Sequence, residues 1–475
     1  MSSSTARPLS QPGDPDAIVA GLVAGARRAM AAFADAGQAR VDEAVTALAW
    51  SLYKPAHAKH LAERAVEATG LGNVESKITK NQRKTFGTLR DLLRAKTVGV
   101  IEEDKARGIV KWAKPVGVVA AITPSTNPSA TPVNKAMMAV KGRNAVIIAP
   151  SPAASGVTGE TVDLMRAELK KIGLPEDLVQ ILPAPVDRAL TTALMKAADL
   201  VVCTGSQNNV RAAYSSGTPA IGVGAGNVPV IIDDSADLDD AAAKICASKI
   251  FDNATSCSSE NSVVIPAAIY EDAMAALERA GGWRATAYKD RIRAALWPDG
   301  RLSRTLIATD ADVFAKGAGL PDDAKGAKFF LVEDDGIGPD HPFSGEKLSL
   351  VLTIYKAQDW ADAKRIVRAV LDHQGKGHSC GIHTQDIDRA RELAAGTEVV
   401  RVLVNQAHTF GNGGGFDNGL PFTLSMGCGT WAGNSIDENL NWRHFVNITH
   451  LVTTIPEDRP AEAELFGAYW KKYGK

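Results

Sequence analysis

"VGVVAAITPSTNPSATPVNKAMMAVKGRNAVIIAPSP", residues 116–152, decides the fold. "VGVVAAI" is a short apolar run of the kind a strand shows when both its faces are buried. "PSATPVNKAMMAVKGRN" reads as a helix closed by Lys141 and Gly142, and "AVIIA" is a second apolar strand. Strand, helix and parallel strand joined by short loops form the unit of a doubly wound sheet. The pattern continues with a helix in "SGVTGETVDLMRAELKKIG", a strand in "DLVQILPA", a helix in "RALTTALMKAA" and a strand in "DLVVCTG". The prediction is an α/β fold with a Rossmann-like parallel sheet.

Such sheets bind ligands at the carboxyl ends of their strands. The loops there are "TPSTNPS", "APSPAAS" and "TGSQNN". They place Thr123, Pro124 and Ser125, then Ser151, Pro152 and Ser155, then Gly205 and Ser206 at a cofactor site. Gly205 and Ser206 open a helix whose N-terminus suits a pyrophosphate. The Gly-x-Gly-x-x-Gly fingerprint is absent from the first strand–helix turn. "GVGAGN", residues 222–227, runs into "VPVIID" with no helix after it. It therefore reads as a tight turn that brings backbone close to an active site, not as a phosphate cradle. Gly222, Val223 and Gly224 are assigned to the cofactor side of that turn.

Outward from this region, residues 1–15 form a Ser/Pro-rich segment that reads as a flexible tail. Residues 16–250 are assigned to a helical N-terminal part and the Rossmann-like domain. Residues 251–435, with strands in "SVVIP", "KFFLVED", "LSLVLTIY", "SCGIHT" and "RVLVN", are assigned to an α/β catalytic domain. Residues 436–475 hold "HFVNITHLVTT", read as a strand that pairs near residues 104–115 in a β oligomerisation arm. They also hold "AEAELFGAYWKKYGK", an amphipathic helix expected to dock on its own subunit or a neighbour.

Composition narrows the function. The 475 residues carry a net charge of −1, with 45% hydrophobic and 23% charged residues. No basic tract suits nucleic acid and no apolar run suits a membrane span. The five cysteines, Cys203, Cys246, Cys257, Cys380 and Cys428, make no Cys-x-x-Cys pair, which argues against disulfides or zinc and for a reducing cytoplasm. His408 and His444 are too far apart in sequence to suggest a metal site, and none is expected. Cys203 and Cys246 lie among apolar residues and read as core. Cys257, in "FDNATSCSSENSVV", is flanked by Ser256 and Ser258, a setting suited to a thiol that reacts.

"GVVAAITPSTNPSATPVNKAMMAVKGRNAVIIAPSP", "AYSSGTPAIGVGAGNVPVIID", "FDNATSCSSENSVV", "PFSGEKLSLVL" and "GCGTWAGNS" occur in this order. Together they closely resemble the CoA-acylating branch of the aldehyde dehydrogenase superfamily, from about residue 40 to the end of the chain. The resemblance implies the aldehyde dehydrogenase fold and a cysteine nucleophile at Cys257. It implies an oxyanion held by the Cys257 N–H and by Asn127, for which the alternative is a helix cap. It places Glu346 on the nicotinamide ribose, where the alternative is a surface ion pair with Lys347. It makes His378 a base for the CoA thiol, against a purely structural loop role. Water-using relatives carry a glutamate where this chain has Gly222 and Val223, and neither can activate water. The implied reaction is therefore oxidation of an aldehyde to its acyl-CoA, with hydrolysis to the free acid as the rival.

NAD-preferring relatives carry a carboxylate where this chain has Ala154, and Ser151 stands in place of a lysine. The expected cofactor is NADP or NAD, with NADP slightly favoured and coenzyme A as cosubstrate. The loop "NQAHTFGNGGGFDNGLPFTLSMGCGTW" is polar and glycine-rich, and it is similar to that of sulfoacetaldehyde-oxidising members of the branch. His408, Thr409 and backbone N–H groups are the sulfonate donors expected there. Acetaldehyde or another short aldehyde is the alternative substrate, and a homodimer or homotetramer is the expected assembly.

Overall fold

The computed structural model describes residues 14–475. The tail assigned to residues 1–15 lies outside these except for Asp14, which caps the first helix, and Pro15, which begins it. Four helices lead: α1 (Pro15–Phe33), α2 (Gln38–Tyr53), α3 (Pro55–Thr69) and α4 (Val74–Leu93). Pro55 opens α3 at a position where its missing N–H costs nothing, and Gly70 ends α3 in the left-handed conformation.

Two strands of an arm follow, β1 (Gly99–Asp104) and β2 (Ile109–Pro115). The chain then enters a parallel sheet: β3 (Val118–Ile122), helix α5 (Ala130–Lys141), β4 (Ala145–Ala149), β5 (Val179–Ile181), β6 (Leu200–Cys203) and β7 (Ala220–Gly222). The strand order is β5-β4-β3-β6-β7. The order turns around at β3, so the loops after β3 and β6 flank the crevice where ligands bind in such sheets. Every residue of β3, β4 and α5 is buried, as the continuous apolar runs require. The N-terminal helices share one core with this sheet, including Val45, Leu48, Val140 and Ile147.

A second parallel sheet comprises β8 (Val228–Ile232), β9 (Glu260–Pro266), β10 (Gly282–Arg284), β11 (Phe329–Glu333), β12 (Val351–Ala357), β13 (Gly377–His383) and β14 (Val399–Val404). Its order is β10-β11-β12-β9-β8-β13-β14. This corrects the boundary placed at residue 250. β8 pairs with β9 and β13, and the helix Leu238–Ile250 packs in the second core through Ala242 and Ile245. The chain changes sheets within residues 222–227.

The last strand, β15 (Val446–Val452), pairs antiparallel with β2, from Val446 opposite Pro115 to Val452 opposite Ile109. The helix Glu462–Tyr473 has no buried residue, so it does not dock on its own subunit. No described helix is long and apolar enough to cross a membrane.

Candidate active site

Cys257 lies between the turn Phe251–Ala254 and the start of β9. That turn is strained: Asp252, Asn253 and Ala254 have φ of 52°, 51° and 59°. Left-handed backbone in residues other than glycine costs about 1–3 kcal/mol each and persists only where its surroundings fix it. Here the fixing group is the fully buried Asp252 carboxylate. It accepts from Lys77 Nζ (3.1 Å), Lys80 Nζ (2.5 Å), the Asn73 N–H (3.0 Å) and Thr255 Oγ1 (2.7 Å). Burial pushes the Asp252 carboxyl up, but the two ammoniums outweigh it and its pKa lies below 3.8. Asn253 is held as well, donating to Asp310 Oδ1 at 2.8 Å. Helix α4 thus anchors the segment that presents Cys257.

The thiol itself is partly buried. Burial first, then the nearby Glu346 carboxylate, push its pKa up to about 12. The glycine turn packs against the Cys257 backbone. A Cβ on Gly226 would stand 1.9 Å from the Cys257 carbonyl oxygen, and one on Gly224 would stand 3.1 Å from Cys428 Sγ. Arg401 lies beside both cysteines. Its buried guanidinium donates to Asn439 Oδ1 (2.9 Å), to the His378 carbonyl (3.0 Å) and to the Gly427 carbonyl (2.7 Å).

Asn127 sits in the loop after β3. Its side chain makes only a 3.4 Å bond to Thr126 Oγ1 and does not cap α5, so its amide stays open to the cleft described below. Thr123, Pro124 and Ser125 lie in the same loop, Ser151 lies in the loop after β4 with Pro152 opening the 3-10 turn that follows and Ser155 beginning the helix Ser155–Lys171, and Gly205 and Ser206 lie in the loop after β6. All three loops leave the carboxyl edge of one sheet. Ser206 caps the helix Gln207–Tyr214, accepting from the Asn209 N–H at 3.3 Å. Ser155 turns its hydroxyl to the Pro152 carbonyl at 3.1 Å. Gly222, Val223 and Gly224 begin the turn against Cys257.

Glu346 forms no surface pair with Lys347. Lys347 is fully buried, with its Nζ on the carbonyls of Phe343 (2.7 Å) and Gly345 (3.0 Å). The Glu346 carboxylate accepts no hydrogen bond among the described residues, and burial raises its pKa to about 7. An acceptor left open in this way fits ribose hydroxyls, just as the open loop edge fits a dinucleotide.

Two histidines depart from expectation. His378 lies on β13, not in a loop, and is fully buried. Its Nδ1 faces Ser379 Oγ at 2.8 Å, its Nε2 has no partner, and burial drives its pKa well below 6.5. His408, expected to hold substrate, is turned away from the cleft. Its ring meets Ser379 Oγ at 2.9 Å, and its backbone N–H donates to Glu260 Oε1 at 3.1 Å. Glycine at position 381 leaves room for that ring, which fills space beneath β13. Thr409 does line the cleft, although its hydroxyl donates to the Ser248 carbonyl at 3.3 Å.

That cleft is narrow, with about 40 Å³ of accessible space. Asn127 and both neighbours of Cys257, Ser256 and Ser258, form part of its wall, and α4 supplies Lys80, Arg83 and Lys84. Sequence reading passes over these three cations, because "KNQRK" on a helix normally marks a solvated face. Only the packing of α4 against the Cys257 segment turns that face inward. No group of His, Cys, Asp and Glu suited to a metal ion occurs among the described residues.

The profile of the "Aldehyde dehydrogenase family" matches residues 14–283. The chain is 54% identical over 459 residues to a sulfoacetaldehyde dehydrogenase (acylating) of Cupriavidus necator, covering 96% of this chain and 93% of that one. It is 46% identical to a sulfoacetaldehyde dehydrogenase (acylating) of Bilophila wadsworthia, covering 95% and 98%. Among solved structures, an acetylating aldehyde dehydrogenase from Geobacillus thermoglucosidasius superposes with a TM-score of 0.89 at 33% identity, covering 94% of this chain and 98% of that one. With the Cys257 segment set between two parallel sheets and relatives of this similarity along nearly its whole length, the chain belongs to the aldehyde dehydrogenase family.

Proposed function

We propose that this protein is a CoA-acylating, NAD(P)-dependent dehydrogenase that oxidises sulfoacetaldehyde to its acyl-CoA through a thioester on Cys257. The observation that carries the reading is the turn packed against Cys257. The turn 222–227 that lies on Cys257 carries no carboxylate, so nothing at Gly222 or Val223 draws a proton from water. In this reading Cys257 Sγ attacks the aldehyde carbon, and the Asn127 amide and the Cys257 N–H hold the resulting oxyanion. The bound nicotinamide supplies the hydride acceptor. Glu346 orients the ribose, and the loops after β3, β4 and β6 carry the rest of the dinucleotide. The acyl group then waits on sulfur for the CoA thiol, with His378, a neutral imidazole, as the base assigned to that step.

NADP is accepted alongside NAD, and slightly favoured, because Ala154 leaves no charge to repel a 2′-phosphate. Sulfoacetaldehyde is preferred to acetaldehyde on the strength of the two acylating relatives above and the polar loop 405–431. The arm of β1, β2 and β15 joins copies into a homodimer or homotetramer. Five free thiols suit a reducing cytoplasm.

Reduced cofactor, followed optically with each aldehyde and each dinucleotide, tests the reading. Formation that needs CoA and is fastest with sulfoacetaldehyde is expected. CoA-independent release of free acid, or turnover of acetaldehyde but not sulfoacetaldehyde, would overturn it. A preference for NAD of about a hundredfold or more would overturn the NADP assignment alone.

A further inference from the structure

Three cations of α4, Lys80, Arg83 and Lys84, stand at i, i+3 and i+4 and so share one face, which forms part of the cleft wall beside Cys257. They are not equivalent. Lys80 is neutralised by Asp252. Arg83 and Lys84 have no carboxylate within ion-pair distance among the described residues. Arg83 Nη2 reaches only the Phe410 carbonyl at 3.4 Å, and its buried Nε has no partner at all. Lys84 Nζ donates to a single acceptor, the Gly413 carbonyl at 2.7 Å.

Aromatic rings enclose the pair. The Arg83 guanidinium lies 5.5 Å from the ring centre of Phe410, 5.1 Å from Phe416 and 5.6 Å from Phe422. Lys84 Nζ lies 5.5 Å from Phe422. Rings supply some stabilisation to a cation but cannot replace an anion taken out of water. Burial accordingly drives the Lys84 pKa down to about 7. Arg83 and Lys84 are partly withdrawn from solvent, and the only carboxylate that acts on Arg83, Asp417, stays beyond ion-pair distance, so both cations are left available to an anion in the cleft.

We infer that Arg83 and Lys84 form the site that binds the sulfonate of the substrate and selects anionic over neutral aldehydes. The inference deepens the function proposed above and rests on it for the identity of the anion. A sulfonate offers three oxygens, enough for the Arg83 N–H groups and the Lys84 ammonium together. It sits one methylene from the carbonyl that Cys257 attacks, so anchoring the charge also positions the reacting carbon. His408, whose ring faces Ser379, takes no part.

The test compares kcat/KM for sulfoacetaldehyde and acetaldehyde in the wild-type protein and in Arg83→Met, Lys84→Met and Arg83→Lys. Each methionine variant is expected to lower the sulfoacetaldehyde-to-acetaldehyde ratio about 100-fold, mostly through KM, with Arg83→Lys recovering part of it. Methionine variants that keep the wild-type ratio, including by losing both activities equally, would overturn the inference. Ethanesulfonate, as a competitive inhibitor of acetaldehyde oxidation, separates this inference from the one beneath it. Inhibition by ethanesulfonate that the methionine variants abolish supports the anion site even if sulfoacetaldehyde is not turned over. Turnover of sulfoacetaldehyde by wild type with ethanesulfonate inhibition unaltered in the variants would sink the site and leave the function standing.

Discussion

Cys257 carries a raised pKa of about 12 because it is partly buried and faces Glu346. In the cofactor-free protein its reactive thiolate is therefore scarce at neutral pH, and it grows tenfold with each pH unit. Iodoacetamide labelling followed by mass spectrometry is expected to modify Cys257 first, since the other four cysteines are buried. Its rate should climb about tenfold per unit from about pH 7 to about pH 9 without levelling. A plateau inside that window would contradict the burial argument. The polar flanks of Cys257 are visible in the sequence because a serine on each side of a thiol is unusual in a core. Arg83 and Lys84 are not visible, since a basic helix face looks the same whether it meets water or a cleft. His408 misleads for the opposite reason: a histidine in a polar loop reads as a ligand until its ring is seen packed against Ser379.

At the scale of elements, the join between α4 and the turn Phe251–Ala254 matters most. Asp252→Asn keeps the shape of the side chain but leaves Lys77 and Lys80 buried without a counter-charge. The expected loss is about 3 kcal/mol, read as a lower thermal midpoint, together with slower turnover as the left-handed residues relax. The Asp252 pKa in the folded protein lies below its unfolded value of 3.8, so its stabilisation is present above about pH 4 and fades as pH falls further. Wild type and variant should therefore converge in stability on acidification; a constant gap would place the effect elsewhere. The strands of both sheets are legible because parallel strands buried on two faces spell continuous apolar runs. The change of sheet is not, because β7 is only Ala220–Gly222 and β8 follows it after a few residues. Nothing local distinguishes a strand that joins the old sheet from one that starts a new sheet.

For the whole molecule, the arm is the part that a single chain leaves unfinished. One edge of β15 is unpaired and carries exposed Ile448, Leu451 and Val452, the last with 66% of its surface open. Such an edge is a template for another strand. Sedimentation should give roughly two or four times the 50.1 kDa chain mass, and removal of residues 446–475 should bring it down to one. A truncated protein that keeps its assembly would show that copies meet elsewhere. The exposed helix Glu462–Tyr473, with Leu465, Tyr469 and Tyr473 each more than 60% open, belongs to the same unfinished surface. Inside the chain, the polypeptide passes from the first lobe to the second at residues 222–227 and returns through the segment containing Cys428, and the two passages touch where Gly224 meets Cys428. Gly226 of the outward passage lies against Cys257, so the residue that bears the thiol is braced where the backbone runs between the two sheets and not on a free loop at their rim.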